Sequence, residues 1–349
     1  MGIKNLSILY KGDETIVTSQ HIETFRGKRL AIDGGIWLNS TWCSAVSRHI
    51  DETNVLLQEL DVAKIRKYWL DRAKDDVRLY LSHHIVPLFV FDGQAPQDKE
   101  ITWAKRKEEL DKAREKLSFI EQKKDDLFQQ QDVDKARKIL KACRTVPMPK
   151  DDTIKSILQA LGIPFLTCNQ ESERLCSALY RDGWVDGVVS SDTDCLTHGC
   201  GLLITKIQGR IATVINLHPL LNKLDVTYKQ FVDLCIACGC DYNTNIPRIG
   251  PKKSLKLLKQ YGRLEQFPYD TTCLNYQRCR ELFRLIPSEQ LTHDPINDDT
   301  VNIGALHPEC REILESCDAS DWLDDLISLL NIEPVQRCRY IRNPQPLRL

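Results

Sequence analysis

Arg29-Leu-Ala-Ile-Asp33-Gly34, Val86-Pro-Leu-Phe-Val-Phe91-Asp92-Gly93 and Gly187-Val-Val-Ser-Ser-Asp192-Thr-Asp194 share one pattern, a short apolar run that ends in aspartate. Short runs without polar alternation suit strands buried on both faces, as in a parallel sheet. Between the first two, residues 54–84 place Val62, Ile65, Trp69, Leu70, Val77 and Leu81 at helical spacing, which makes a strand–helix–strand crossover. Further on, Ile154–Leu161 and Glu173–Arg181 read as helices, and Ile163–Leu166 and Gly187–Ser191 as strands. The expected fold class is α/β, with a mostly parallel twisted sheet flanked by helices.

In open parallel sheets, ligands sit beyond the carboxyl ends of the strands. A single strand-terminal Asp-Gly is commonly a turn. Three strand-end acids in one sheet would gather at least four carboxylates at one edge, where they repel one another and raise their own pKa values. Divalent cations relieve that repulsion, and oxygen-only ligands favour magnesium or manganese. Glu171 and Glu173 flank Ser172 at the start of a helix, with Asn169 as a candidate cap. Both glutamates can point into the same crevice, whereas Asp241, which follows the helix that ends at Gly239, would on its own be an ordinary cap.

The chain has 349 residues, 48 Lys+Arg against 49 Asp+Glu, and 28% charged residues, so overall charge names no partner. Mean hydropathy is −0.35. The longest apolar run, Ile85–Phe91, is far short of the ~20 residues a membrane helix needs, and residues 1–30 lack an apolar leader segment. No membrane association and no secretion are therefore expected. Of the 14 cysteines, only Cys235 and Cys238 have zinc-like spacing. A structural zinc site usually needs two such pairs, so buried reduced thiols are expected.

Residues 99–150 hold 15 Lys/Arg and 10 Asp/Glu, with acid/Lys pairs at helical spacing such as Glu108–Lys112 and Asp134–Lys138. Alone, this reads as a solvated helix or helical hairpin. Past Thr227 the chain turns helical, at Tyr228–Cys238, Lys252–Tyr261 and Ser320–Leu330. No phosphate-binding G-x-x-x-x-G-K-[ST] and no dinucleotide G-x-G-x-x-G occurs. Lys99 and Arg106, seven apart, stack on one helix face and offer cations to a phosphate. Acids for a metal beside cations for a phosphate describe phosphoryl-transfer chemistry.

Met1-Gly-Ile-Lys-Asn-Leu6, Leu30-Ala-Ile-Asp33, Phe89-Val-Phe-Asp92-Gly93, Glu171-Ser-Glu173, Asp192-Thr-Asp194-Cys-Leu-Thr197, Phe231-Val-Asp-Leu-Cys-Ile-Ala-Cys-Gly-Cys-Asp241-Tyr242 and Ile249-Gly-Pro-Lys252 come in a fixed order. In sequence and spacing, up to about residue 262, they resemble the flap endonuclease (XPG-type) structure-specific 5′ nucleases. The resemblance implies two magnesium ions, for which manganese can substitute. Asp33, Asp92, Glu171 and Glu173 would surround one, with Asp192, Asp194 and Asp241 nearer the other. It implies that Lys99 and Arg106 engage the scissile phosphate, and that residues 99–150 form a helical gateway and cap for a single-stranded 5′ end. Gly2, Lys105, Lys135, Arg137, Lys138 and Lys141 would then contact DNA. Ile246–Leu258 resembles a helix–hairpin–helix element whose Gly250, Lys252 and Lys253 grip the duplex backbone, helped in the family by a monovalent ion, often potassium.

The implied domains are an α/β nuclease core at 1–225 (with 1–98 before the insert and 151–225 after it), a helix–hairpin–helix region at 226–265, and a helical region of unassigned role at 266–349. The implied function is magnesium-dependent cleavage of branched, 5′-flap DNA in replication, repair or recombination. A 5′–3′ exonuclease or four-way-junction resolvase of the same family is the alternative, and an inactive junction-binding scaffold a more distant one. The expected partner is DNA, and no Q-x-x-[LIM]-x-x-F-F sliding-clamp box occurs. A monomer is expected, in the nucleus or, for a viral chain, at a cytoplasmic replication site. Three positions depart from the family pattern. Asn39 stands where a base-stacking aromatic is common, with Trp37 two residues earlier. Arg248 stands where glycine is common, and Asn245 where a hydroxyl often binds potassium.

Overall fold

The structure is a computed structural model describing residues 2–55, 58–93, 100–121, 130–143, 146–150 and 152–335. Its first half runs β1 (Val17–His21), β2 (Arg29–Asp33), α1 (Gly34–Glu52), α2 (Val62–Ser82), β3 (Val86–Phe91), α3 (Glu100–Glu121), α4 (Gln130–Cys143) and α5 (Asp152–Ala160). Then come β4 (Phe165–Thr167), α6 (Ser172–Arg181), β5 (Gly187–Val189), α7 (Asp194–Thr197), β6 (Leu202–Gln208), β7 (Ile211–Asn216) and α8 (Leu217–Leu224). The remainder is helical, with α9 (Tyr228–Cys238), α10 (Pro251–Tyr261), α11 (Tyr276–Leu282), α12 (Cys310–Ser316) and α13 (Asp321–Leu326).

The described strands form one sheet in the order β1-β7-β6-β5-β2-β3-β4. β6, β5, β2, β3 and β4 run parallel, and β7 lies antiparallel between β6 and β1. β5, β2, β3 and β4 are thus the strands expected from the apolar runs. The β6–β7–β1 edge is not among those runs, because β6 and β7 mix buried with half-exposed and exposed residues and β1 has no buried one.

Alternation along the strands sorts side chains onto two cores. Leu30, Ile32, Phe89 and Phe91 face α1, α2 and α5, where Trp42 and Trp69 meet edge to face at 5.7 Å. Ala31, Leu88 and Val90 face the opposite core, built from α6 to α10. The register continues the alternation to the sheet's edge. Asp33 pairs with Val90, and Ile32 pairs with Val189 of β5. Asp33, Asp92 and Asp192 therefore leave their strands within a few residues of one another.

Local signals set the helix starts. Asp33 accepts from the Ile36 amide at 3.1 Å and Asp61 from the Lys64 amide at 3.0 Å. Thr227 and Gln230 form a reciprocal capping box at α9, and Pro251 opens α10. Asn169 does not cap α6: its amide donates to the Leu291 carbonyl at 2.7 Å, and Glu171 occupies the cap position. The helix expected at Ser320–Leu330 is shorter, Asp321–Leu326. Described cysteines are free thiols, and burial raises the Cys238 thiol to about 12. No helix among the described residues is long and apolar enough to cross a membrane.

The last described segment lies across both cores. α11 and Phe283 join the α9 side, while α12 and α13 seal the α2 side with Trp322 fully buried. Thr292 bridges Cys168 beyond β4, and the Thr167 amide donates to Asp294 at 2.6 Å. Lys74, buried on α2, pairs with Asp321 and, at 2.7 Å, with Asp325 of α13. Trp322→Ala should cost about 3–5 kcal/mol, the usual loss for truncating a buried aromatic. Urea unfolding would show this as a lowered midpoint; an unchanged midpoint would mean that α13 is not part of the cooperative core.

Candidate active site

The acids at the carboxyl edge are held by one run of hydrogen bonds. The Ser172 amide donates to Asp92 Oδ1 at 2.8 Å, and its hydroxyl donates to Asp33 Oδ1 at 2.8 Å. The Ser190 hydroxyl donates to Asp33 Oδ2 at 2.7 Å and accepts from the Asp192 amide at 3.0 Å. The Asp194 amide in turn donates to Asp192 Oδ1 at 2.9 Å. Four acidic residues from β2, the end of β3 and the turn after β5 are thereby linked in one run: the carboxylates of Asp33, Asp92 and Asp192 accept in it, and Asp194 joins through its backbone amide.

Glu171 and Glu173 bracket Ser172 and are buried with it. Glu171 accepts from the Tyr242 hydroxyl. Burial, then the negative charge of Glu171, pushes the Tyr242 phenol far above its ordinary value, so it stays a donor. Asp241, half-exposed, precedes this tyrosine in the chain.

Two glycines let the acids approach. Gly2 has φ of +88°, and a β-carbon there would lie 2.2 Å from Asp192 Oδ1. Ile3 and Lys4 fix that segment, the former through its amide to Thr193 Oγ1 at 3.0 Å and the latter through its amide to the Gly239 carbonyl at 2.9 Å. A β-carbon at Gly35 would lie 2.2 Å from Asp92 Oδ2. The chain thus brings Gly2, Asp33, Asp92, Glu171, Glu173, Asp192 and Asp194 to one edge, and Asp241 adjoins it in sequence through Tyr242.

Among the described residues, no three His, Cys, Asp or Glu side chains already close around one point. Burial pushes the Asp33 carboxyl up to about 6, the Ser190 hydrogen bond opposes this, and Asp92 nearby adds to the rise. A desolvated, like-charged, all-oxygen donor set fits a hard divalent cation.

The cationic candidates scatter more widely. Lys99 lies outside the described residues. Arg106 and Lys105 fall on α3, and their side chains lie outside the described ones. On α4, Lys135 and Lys138 are exposed. Arg137 donates to the Thr53 carbonyl at 3.0 Å, and Lys141 pairs with Asp51 at 2.5 Å, so both also tie α4 to the end of α1. Trp37 is turned inward, donating to Asp76 at 3.1 Å and packing on Phe89, so it is not available for base stacking. Gly250 caps α10 in open space, with Lys252 and Lys253 exposed on its first turn. A helix N-terminus with flanking lysines suits a phosphate.

The XPG N-terminal domain family matches residues 1–113, and the XPG I-region family matches residues 162–241. Flap endonuclease 1 of the fish Anoplopoma fimbria is 31% identical over 274 residues, covering 76% of this chain and 68% of its own length. The chain belongs to the XPG/flap endonuclease family. Flap endonuclease 1 of Cryptosporidium muris is 32% identical over 281 residues, and the chain spans 76% of itself but 57% of that relative. In fold, the XPG-family chain is similar to flap endonuclease-1 from Methanococcus jannaschii. Its TM-score is 0.61 at 21% identity, covering 92% of this chain and 98% of the other. The Rad2 catalytic core in complex with DNA substrate gives 0.59 at 19% identity, with the same coverage.

Ser172, Ser190 and Tyr242 are the site residues that sequence reading misses. Ser172 and Tyr242 lie inside motifs that carry the resemblance and Ser190 lies two residues before one, but a hydroxyl's partner depends on strand register, which a motif does not state. A testable consequence concerns Asp33. Its raised folded-state pKa means that the metal-free protein loses stability as pH climbs from about 4 to about 6, on the order of 1.4 kcal/mol for each pH unit crossed in that window. Asp33→Asn should remove that loss. In EDTA at pH 8 its melting temperature should match or exceed wild type, and its cleavage should be abolished. A clear drop in melting temperature would show that the carboxylate is a net stabiliser there.

Proposed function

We propose that this XPG-family chain is a magnesium-dependent, structure-specific 5′ endonuclease that cleaves branched, 5′-flap DNA in replication, repair or recombination. The observation that carries this reading is the hydrogen-bonded run, centred on Ser172 and Ser190, that gathers acidic residues at three parallel-strand ends. Such an arrangement costs stability in the metal-free protein, a cost that bound divalent cations would offset.

Asp33, Asp92, Glu171 and Glu173 would hold one ion, and Asp192, Asp194 and Asp241 the other. Magnesium, or manganese in its place, supplies a water of lowered pKa and charge neutralisation at the leaving oxygen when bound. The chain's own groups do the positioning. Ser172 and Ser190 fix both oxygens of Asp33, and Tyr242 fixes Glu171. Ordered this way, the carboxylates need little rearrangement as the reaction proceeds. Lys99 and Arg106 offset charge growing on the phosphate.

Residues 1–225 act as the nuclease core, α3 and α4 as the gateway for the 5′ strand, and 226–265 as the duplex grip. In the grip, the α10 N-terminus with Lys252 and Lys253 holds phosphate without reading bases. The place of action is wherever branched DNA arises, the nucleus or, for a viral chain, a cytoplasmic replication site.

Asp192→Ala and Asp194→Ala should each lose cleavage by several orders of magnitude and still bind a 5′-flap duplex, because affinity comes from cations and backbone donors elsewhere. Single-turnover rates in magnesium, beside binding measured in EDTA, read the two effects separately. A variant retaining a tenth of the wild-type rate would overturn the metal assignment. Nicked, gapped and four-way-junction substrates run in parallel rank the flap against its alternatives.

A further inference from the structure

The turn between α9 and α10 is closed by one of its own side chains. Asn245 Nδ2 lies 3.2 Å from the Ile246 carbonyl oxygen and 3.1 Å from the Ile249 carbonyl oxygen. Both partners only accept, so the amide presents its nitrogen to them, and both its hydrogens are engaged. The Ile246 oxygen also accepts from the Ile249 amide at 3.0 Å. That fills the two lone pairs a carbonyl offers.

The turn is anchored on the other side by Asn243. Its amide nitrogen donates to the Ile236 carbonyl at 2.9 Å and the Leu274 carbonyl at 2.7 Å, and its oxygen accepts from the Cys240 amide at 2.8 Å. Ile246 and Ile249 are buried. Holding a monovalent cation here would require carbonyl oxygens free to face it, and the residues present do not fit one. The hydroxyl position is an amide, and the amide engages both carbonyls.

The geometry points to Asn245 as a built-in substitute for the monovalent cation, making this chain's grip on duplex DNA indifferent to which monovalent salt is present. This rests on the nuclease reading above, since it concerns the same DNA grip. The substitution is neutral where an ion would be charged. Arg248, exposed in the same turn with φ of +63°, returns one positive charge beside the phosphate-facing end of α10. An amide is also a directional donor, so it fixes the spacing of the two carbonyls without an exchangeable component.

The test is binding of a 5′-flap duplex in EDTA, by fluorescence anisotropy, in potassium, sodium and tetramethylammonium chloride at equal ionic strength. Wild type should bind equally in all three. Binding tighter in potassium than in tetramethylammonium by about five- to tenfold, the size of one good phosphate contact, would overturn the proposal. Asn245→Ser frees both carbonyls, and should bind more weakly in tetramethylammonium and recover in potassium. A serine variant as indifferent to the cation as wild type would remove Asn245 from this role.

Melting temperatures without DNA give a second readout. Potassium should stabilise the serine variant over tetramethylammonium and leave wild type unchanged; a potassium-specific rise in wild type would overturn the proposal. Arg248→Gly should weaken binding alike in all three salts and reduce the salt slope by about one, whereas an unchanged slope would deny Arg248 its part. Failure to bind flap duplex in any salt would strike the nuclease reading itself, an outcome distinct from cation dependence.

Discussion

Ser172 is the joint on which the site depends. Its backbone amide reaches one strand-end aspartate and its hydroxyl another, so the first turn of α6 spans β2 and β3. The position works because Asp33 and Asp92 share the face of the sheet that α6 covers, a consequence of alternation from Ala31 and Val90. Moving either strand by one residue would turn its acid into the tryptophan-rich core on the other face. Charge at the edge and hydrophobic packing inside the sheet are therefore set by the same register.

This arrangement exchanges stability for readiness. Asp33 is almost wholly buried beside another acid, a situation that favours its protonated form. The two serines and the Ile36 amide lower that cost without removing it. The apolar packing of α1, α2, α12 and α13 on one face and α6 to α10 on the other bears the remainder. Trp69, Phe89, Phe231 and Trp322, all fully buried, are the largest pieces of that support.

Much of this is legible in the chain itself. Apolar runs ending in acid at Asp33, Asp92 and Asp192 state both the parallel sheet and the edge where chemistry sits, because strand ends in such sheets converge. What escapes is whatever depends on partners distant in sequence. The β6–β7–β1 edge lies outside the apolar runs because many of its residues are polar or half-exposed. The inward turn of Trp37 depends on Asp76, and the closure of the α9–α10 turn depends on an amide's geometry rather than its identity. The caps show the limit of local reasoning: Asn169 has the right chemistry to start α6, but the helix begins two residues later, with Glu171 at the cap position.

Long-range closure by the final segment also bears on how the protein comes into being. Arg29, fully buried at the start of β2, donates to Asp298 at 2.9 Å and Asn302 at 3.4 Å, and one core is incomplete until Trp322 arrives. At a synthesis rate of roughly 5–20 residues per second, those partners reach the nascent strand only after tens of seconds. Through that interval the sheet's apolar faces lack part of their cover, a state prone to aggregation and attractive to chaperones. An acidic edge whose scaffold closes so late would be assembled only once residue 322 has been made, so fragments of arrested translation would carry the acids without the frame that aims them.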